Sequence, residues 1–525
     1  MDIEHLIGQK LLFAFHGKET PSPEIIEAFQ KYHPSGISYF RSLNIGTPSQ
    51  VRELTNALQR LARDLDLPRL LIATDQEGGQ LMAVGDGTPL PGNMALGATR
   101  SAELARKAGE VLGREMSALG INVNYAPCAD VNINPQNPVV GARSFGEDPH
   151  LVAELTAAMI EGIQSQGVAA TVKHFPGHGD TASDTHHGLG TVPHSLERLH
   201  AVELPPFIAA FKADAKMVMT AHLGITSLDG ANPPPATLSP NIINGLLRRD
   251  SGYDGVVVTD AMDMKAIRQG EALREESVRA VKAGADLLLN TSDPQDQTRA
   301  FEGLMEGFKS GQLTLGELEA SAARISRLKQ WIAENSASHD LAVIRSAEHM
   351  RVAQEIAEKS ITLVRDREKY LPLKLESDQR IAVIVPQPKD LTPADTSSYI
   401  QPKLAGSIRD YHARTDEFVI PYSPTEAESA SVLGRVREYD VIVVGTINAY
   451  AEEKQAGFAR ALLNLGKPTI VIAMRLPYDL AAFPQVSAYV AAYGIMEPSM
   501  RAVAKALFGR IQMTGRLPVS IPTVG

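Results

Sequence analysis

The sequence predicts an α/β protein built as two units. An N-terminal (β/α)8 TIM-like barrel spans residues 1–335, a linker and helix follow at 336–360, and a smaller α/β sandwich domain occupies 361–525. Three observations lead there. The chain has 525 residues, more than one typical domain holds, so surface-to-volume scaling calls for two or three separate cores. Eight short apolar runs recur in the first 300 or so residues, with room for a helix between them. Polar residues stand where several of those runs end.

The eight runs are "LLFAF" (11–15), "GISYF" (36–40), "LLIAT" (70–74), "INVNYA" (121–126), "VAATVKH" (168–174), "KMVMTAH" (216–222), "GVVVTD" (255–260) and "ADLLLN" (285–290). Short runs that are apolar throughout and rich in β-branched residues read as parallel strands buried on both faces. Between them lie amphipathic segments such as "AELARKAGEVLGREMSAL" (102–119), with apolar residues at helical spacing. An open doubly wound sheet would give a similar pattern. The barrel is favoured because Asp75, Lys173, His174, His222 and Asp260 all fall at or just past a strand's C-terminal end. In a barrel those ends converge on one face, where active sites lie.

From about 296 to 336 the sequence is helical. "LVRDREKYLPLK" then reads as a strand and turn entering the second unit, whose runs are 381–385, 417–422, 441–446, 469–474 and 488–493. These alternate with helical stretches, as in a layered α/β domain. GxGxxG and P-loop patterns do not occur there, so dinucleotide or nucleoside triphosphate binding has no support. A structural cap on the barrel, one wall of a cleft and a homodimer surface are the roles open to this domain, and Arg475 and Asn448 stand at its strand ends.

Composition narrows the function. With 44% hydrophobic and 21% charged residues and a net charge of -10, the chain has the makeup of a soluble protein, and no Lys/Arg block suits a phosphate backbone. Nucleic acid is not an expected partner. No apolar run approaches the roughly 18 residues of a membrane span. The opening "MDIEHLIGQKLLFAF" is acidic where a signal peptide is basic, and Cys128 is the single cysteine. A cytoplasmic protein is expected.

The segment "TVKHFPGHGDTASDTHHGLGT" (171–191) holds four of the fourteen histidines. It leaves about 20 residues between a strand and the next helix near Ser195, where about two to six are usual, so it reads as a lid over the active face. A metal site could be drawn from His178, Asp184 and His186 or His187, but the spacing lacks the HExxH or paired-Cys pattern of strong metal motifs. An ordinary polar loop is a second reading. In the third, Asp184 and His186, two residues apart, form a carboxylate–imidazole pair, and His186 is a general acid that becomes a base after giving up its proton. That chemistry needs a nucleophile. Asp260, at the end of a run of three valines, is held on a rigid strand; Asp263 is a less constrained alternative, and helix capping by Asp260 is the plain structural one.

Together, "KHFPGHGDTASDTH", "VVVTDAMDM", "ATDQEGG" and "VVGARSFGEDP" resemble the bacterial β-N-acetylglucosaminidases of glycoside hydrolase family 3. The likeness runs from about residue 5 to 335, and "ITLVRDREKYLPL" and "GRLPVSIP" look like the second domain of the longer members. The resemblance implies that Asp260 is the nucleophile, that His186 is the acid/base with Asp184 as partner, and that Asp75, Arg143, Lys173 and His174 bind the sugar's hydroxyls, with His222 near the sugar. It implies no cofactor and no metal. The substrate class implied is an N-acetylglucosamine-containing oligosaccharide, from chitin or peptidoglycan.

Most glycosidases use two carboxyl groups, about 5 Å apart in retaining enzymes; here imidazole would replace one. A neutral imidazole repels an incoming anion less than a carboxylate would, by about 4 kcal/mol at 4 Å with an effective dielectric of 20. Phosphorolysis by inorganic phosphate is therefore the alternative to hydrolysis, and a sugar-binding protein with lapsed catalysis is a third reading. Two departures from the family pattern stand out: Gln80 and Leu81 follow "DQEGG" where Arg and a hydrophobic residue are common, and Cys128 and Ala129 replace larger aliphatic residues.

Overall fold

A computed structural model describes residues 2–181, 188–290 and 292–522. Eight strands form the first sheet: β1 (Leu11–Phe13), β2 (Gly36–Tyr39), β3 (Leu71–Thr74), β4 (Val123–Asn124), β5 (Ala169–Phe175), β6 (Met217–Thr220), β7 (Val256–Thr259) and β8 (Leu288–Leu289). Their order is β7-β6-β5-β4-β3-β2-β1-β8, with every pairing parallel. A parallel bridge from Val258 to Leu287 brings the two edges together into a barrel.

Alternation along each strand explains why the runs are apolar throughout. Val256 and Val258 point inward with Leu71, Ala73, Met217 and Leu289, whereas Val257 packs outward in the helix layer. Ile325, Leu328 and Ile332 of the helix Leu315–Asn335 join the interior cluster. Asn335 of that helix abuts Gly167, just before β5, so the helix closes the N-terminal mouth and leaves the C-terminal one open.

The run 121–126 was expected as a strand, yet only Val123 and Asn124 are laddered. Main-chain bonds continue beyond them, from Asn122 N to Ile72 O and from Tyr125 N to Thr74 O, and asparagine side chains serve the neighbouring strand: Asn122 accepts from Ile72 N at 2.8 Å and donates to Leu70 O at 2.9 Å, and Asn124 accepts from Gln76 N at 3.0 Å. After β3 comes a short hairpin, Gln76–Gly78 against Leu81–Met82. Its turn uses Gly78 and Gly79 at φ 86° and 65°, conformations that side chains disfavour, which accounts for the paired glycines of "DQEGG".

The second sheet contains β9 (Thr362–Asp366), β10 (Ile381–Pro386), β11 (Thr415–Ile420), β12 (Val441–Thr446), β13 (Thr469–Ala473) and β14 (Ala488–Ala491). Their order is β9-β14-β13-β12-β10-β11, parallel except for β9. Val383, Val443 and Ile472 face one apolar layer with the helix Glu497–Leu507, while Ile384, Val444 and Val471 face the other with the helix Glu453–Leu463. This is a three-layer sandwich.

The helix Ala347–Ser360 packs on the barrel helices Asn93–Thr99 and Ala102–Ala118. There His349 Nδ1 meets Glu115 Oε1 at 2.8 Å with both side chains buried. Near the end of the chain, Arg516 N donates to Ala98 O and Glu147 N to Pro518 O. Among the described residues no helix is long and apolar enough to cross a membrane.

Candidate active site

A cleft of about 580 Å³ opens at the C-terminal ends of the barrel strands. Asp75, Arg143, Lys173, His174 and Asp260 all line it. Five side chains from four strands or their following loops thus converge on one space. Lys173 and His174 both reach the cleft although strand neighbours ordinarily point to opposite faces; the register between β5 and β6 slips between Val172 and Phe175.

An ion network forms the floor. Lys173 Nζ lies 2.6 Å from both Asp75 Oδ1 and Glu77 Oε1. Arg143 grips Glu77 with two parallel bonds, Nε to Oε2 at 2.9 Å and Nη2 to Oε1 at 2.7 Å. Burial pushes the Glu77 carboxyl up, but Arg143 and Lys173 outweigh it and hold it at about 2. Burial pulls the Lys173 ammonium down, and Asp75 and Glu77 more than offset that, leaving its pKa raised. Glu77, Arg143 and Lys173 therefore remain charged at neutral pH, and the positions of the network are fixed before any ligand arrives.

His174 is set by Asp130. Its Nδ1 is 2.7 Å from Asp130 Oδ2, and its Nε2 is 3.4 Å from Arg143 Nη2. Guanidinium only donates, so Nε2 accepts and Nδ1 carries the proton that Asp130 receives. Asp130 also accepts from His174 N at 3.3 Å, His178 N at 2.7 Å and the Cys128 thiol at 3.1 Å. Burial, opposed by these donors and neighbouring histidines, nets to a carboxyl held well below its usual range. Cys128, Asp130 and His174 could in principle bracket a cation. Burial and Asp130 keep the Cys128 thiol well above its ordinary pKa, so it stays a proton donor to Asp130 rather than a thiolate ligand.

Asp260 directly follows β7, with its amide donating to Thr220 O at 3.2 Å and its Oδ1 accepting from Ala261 N at 2.8 Å. Asp263, exposed in the next loop, also lines the cleft. His222 differs from the expectation of a sugar contact. It is fully buried, Nε2 donates to Ala261 O at 2.9 Å, and Nδ1 meets Thr237 Oγ1 at 2.7 Å. It braces the turn that carries Asp260 instead of joining the described residues that line the cleft. Asp184 and His186, expected as the acid/base pair, lie outside the described residues, as does the central part of the expected lid. After it, Ser195 caps the helix Leu196–Ala201, where helical sequence was expected to resume.

The second domain contributes a wall. Asp390, Ala394, Thr396 and Tyr399 line the same cleft. Thr396 N and Oγ1 donate to Gln80 O at 2.8 and 2.9 Å, and Met82 N donates to Thr396 Oγ1 at 3.1 Å. Asp395, buried, accepts from Ser397 N and from Arg475 Nη1 at 2.9 and 2.7 Å. Arg475 therefore stands behind the wall, and neither it nor Asn448 is among the described lining residues. Gln80, the departure after "DQEGG", sits where the second domain docks. Sequence reasoning missed Glu77, although it lies within "ATDQEGG", and Asp130, which directly follows Cys128 and Ala129.

Comparison with known proteins agrees with this architecture. Residues 3–328 match the description "Glycosyl hydrolase family 3 N terminal domain" and 361–524 match "Glycosyl hydrolase family 3 C-terminal domain". Beta-hexosaminidase A of Pseudoalteromonas piscicida is 31% identical over 98% of this chain and 96% of its own. A glycoside hydrolase family 3 beta-N-acetylglucosaminidase from Paenibacillus sp. FPU-7 superposes with TM-score 0.94 at 38% identity, covering 100% of both chains. A structure of a beta-glucoside phosphorylase has TM-score 0.84 at 25% identity over 99% of this chain and 94% of its own. A charged, preorganised cleft at the open mouth of the barrel, walled by a second sheet domain and matched by both family descriptions, makes this chain a glycoside hydrolase that belongs to glycosyl hydrolase family 3.

Proposed function

We propose that the protein is a retaining exo-β-N-acetylglucosaminidase acting on chitin oligosaccharides or peptidoglycan fragments. The observation that carries this reading is the shared cleft, in which Asp260 faces the same space as Lys173, His174, Asp75 and Arg143. In this reading Lys173, His174 and Asp75 bind hydroxyls of the terminal sugar. Arg143 and Glu77 keep Lys173 and His174 in position. An Asp260 carboxylate oxygen attacks the anomeric carbon, the bond to the leaving oxygen breaks, and His186 gives that oxygen its proton. Water then attacks the same carbon, returns a proton to His186 and releases Asp260, so the sugar leaves with its β configuration retained. The name of the Paenibacillus relative, a beta-N-acetylglucosaminidase, supports the N-acetylglucosamine specificity, and that of the Pseudoalteromonas one supports a beta-hexosaminidase.

Phosphorolysis is a second reading, favoured by one observation: a relative spanning nearly the whole chain is a beta-glucoside phosphorylase. One experiment separates the two. With 4-nitrophenyl N-acetyl-β-glucosaminide and inorganic phosphate present, NMR should show β-N-acetylglucosamine as the first product. A sugar 1-phosphate would replace the hydrolase reading by the phosphorylase one. Asp260→Asn should abolish turnover, and a variant that keeps most of its activity would remove Asp260 from the nucleophile's role.

A further inference from the structure

The cleft has more at its rim than one sugar needs. Its volume of about 580 Å³ falls within the roughly 300–1,000 Å³ of clefts that take ligands larger than a monosaccharide. The groups described so far sit deep in it: Lys173 is 1% and His174 6% exposed. Tyr399, lining the same cleft from the second domain, is 57% exposed. A large aromatic side chain so open to water contributes nothing to a core, yet this one is held in place.

Arg41, just past β2, stacks its guanidinium carbon 4.0 Å from the Tyr399 ring centroid. Its Nη1 donates to Met82 O at 3.0 Å, and a Cβ at Gly85 would collide with the guanidinium, so the backbone there makes room for it. The segment bearing Tyr399 is fastened by Thr396 to Gln80, by Asp395 to Arg475 and by Ser398 to Asp390. Two chain segments more than 300 residues apart therefore hold a guanidinium and an aromatic ring face to face at the exposed part of the cleft. Flat aromatic and guanidinium surfaces bind the C–H-rich face of a pyranose ring by displacing water. With the terminal sugar in the deep end beside Asp260, the ring that meets this surface is the one on the leaving side of the scissile bond.

We propose that Arg41 and Tyr399 form a binding platform for the leaving-group sugar ring, one half supplied by the barrel and the other by the second domain. The platform rests on the N-acetylglucosaminidase reading for the orientation of its ligand.

The test compares kcat/KM for N,N′-diacetylchitobiose with that for methyl N-acetyl-β-glucosaminide, whose leaving group has similar basicity but no ring. In Tyr399→Ala the loss on the disaccharide should exceed the loss on the methyl glycoside about five- to tenfold. Tyr399→Phe, which keeps the flat face, should hold the ratio near that of the wild type. Equal losses on the two substrates in Tyr399→Ala would overturn the platform. Failure of the reaction reading shows separately, as a wild type inert to both glycosides. The ratio of calorimetric affinities for N,N′-diacetylchitobiose and N-acetylglucosamine then scores the platform alone, and a Tyr399→Ala ratio equal to that of the wild type overturns it.

Discussion

Arg143 and Glu77 face each other as a two-bonded pair, 2.7 and 2.9 Å long, with side chains 3% and 1% exposed. Lys173 shares the same carboxylate. Glu77→Gln would leave two buried cations facing an amide. Breaking a buried ion set from one side costs about 3–5 kcal/mol, so urea unfolding should show a loss of that order and kcat/KM should fall with it. A variant within 1 kcal/mol of the wild type would show that Glu77 is not what holds the floor together.

Acid should weaken the fold in two steps. Burial pulls His178 down to about 4 from 6.5, so the unfolded chain takes up that proton first. A depressed folded pKa contributes stability that is complete above the unfolded value and is lost as pH falls toward the folded one. His178 thus removes roughly 3 kcal/mol between about pH 6.5 and 4. Glu77, held at about 2 against a usual 4.5, continues the loss below that. Unfolding midpoints measured from pH 7.5 to 4.5 should decline, and His178→Asn should flatten the decline; an unchanged slope would rule His178 out as its source.

Asp130 receives four donors, among them the imidazole and main-chain amide of His174. Asp130→Asn replaces one acceptor oxygen with an amine that faces donors. His174 should then shift, and a misplacement of about 1 Å can cost about 10²-fold in rate. The loss should appear in kcat/KM for an N-acetylglucosaminide under conditions where circular dichroism still reports a folded protein. Full activity in the variant would leave His174 positioned by its other neighbours.

Lys329 marks a different kind of site, at the closed end of the barrel. Burial pulls its ammonium down to about 7 from 10.5, and its Nζ donates to Gln9 Oε1 at 2.8 Å. Wild-type stability should therefore rise between pH 7 and 10.5, as the unfolded chain loses the proton that the folded one has already released. Lys329→Met removes the penalty while keeping the length of the side chain. Calorimetry should find a higher Tm at pH 7 and no such rise above it; a lower Tm would mean that the Gln9 contact outweighs desolvation.

The barrel was legible because its strands are short and apolar on both faces and several are followed by a polar residue, and "VVVTD" ending in Asp260 is the clearest case. Less legible was anything whose partner lies far along the chain. Glu77 meets Arg143 across 66 residues and Asp130 meets His174 across 44, so neither carboxylate carries a local pattern that reports its task. His222 has the right address for a sugar contact, but its ring nitrogens are taken by Thr237 and Ala261, which come from two other segments. The cleft wall at 390–399 reads as an unremarkable loop until the sheet domain brings it against Gln80.

At that junction the barrel offers Thr396 only main-chain atoms, the carbonyl of Gln80 and the amide of Met82. Gln80 in turn reaches a main-chain atom of the other side, Ala394 O at 3.4 Å. The two bonds to the Thr396 hydroxyl tolerate drift in the side chains at positions 80 and 82, because any residue at 80 keeps the carbonyl and any but proline at 82 keeps the amide; only the Gln80 side-chain bond to Ala394 O would be lost. Correlated substitution between positions 80 or 82 and position 396 should therefore be faint.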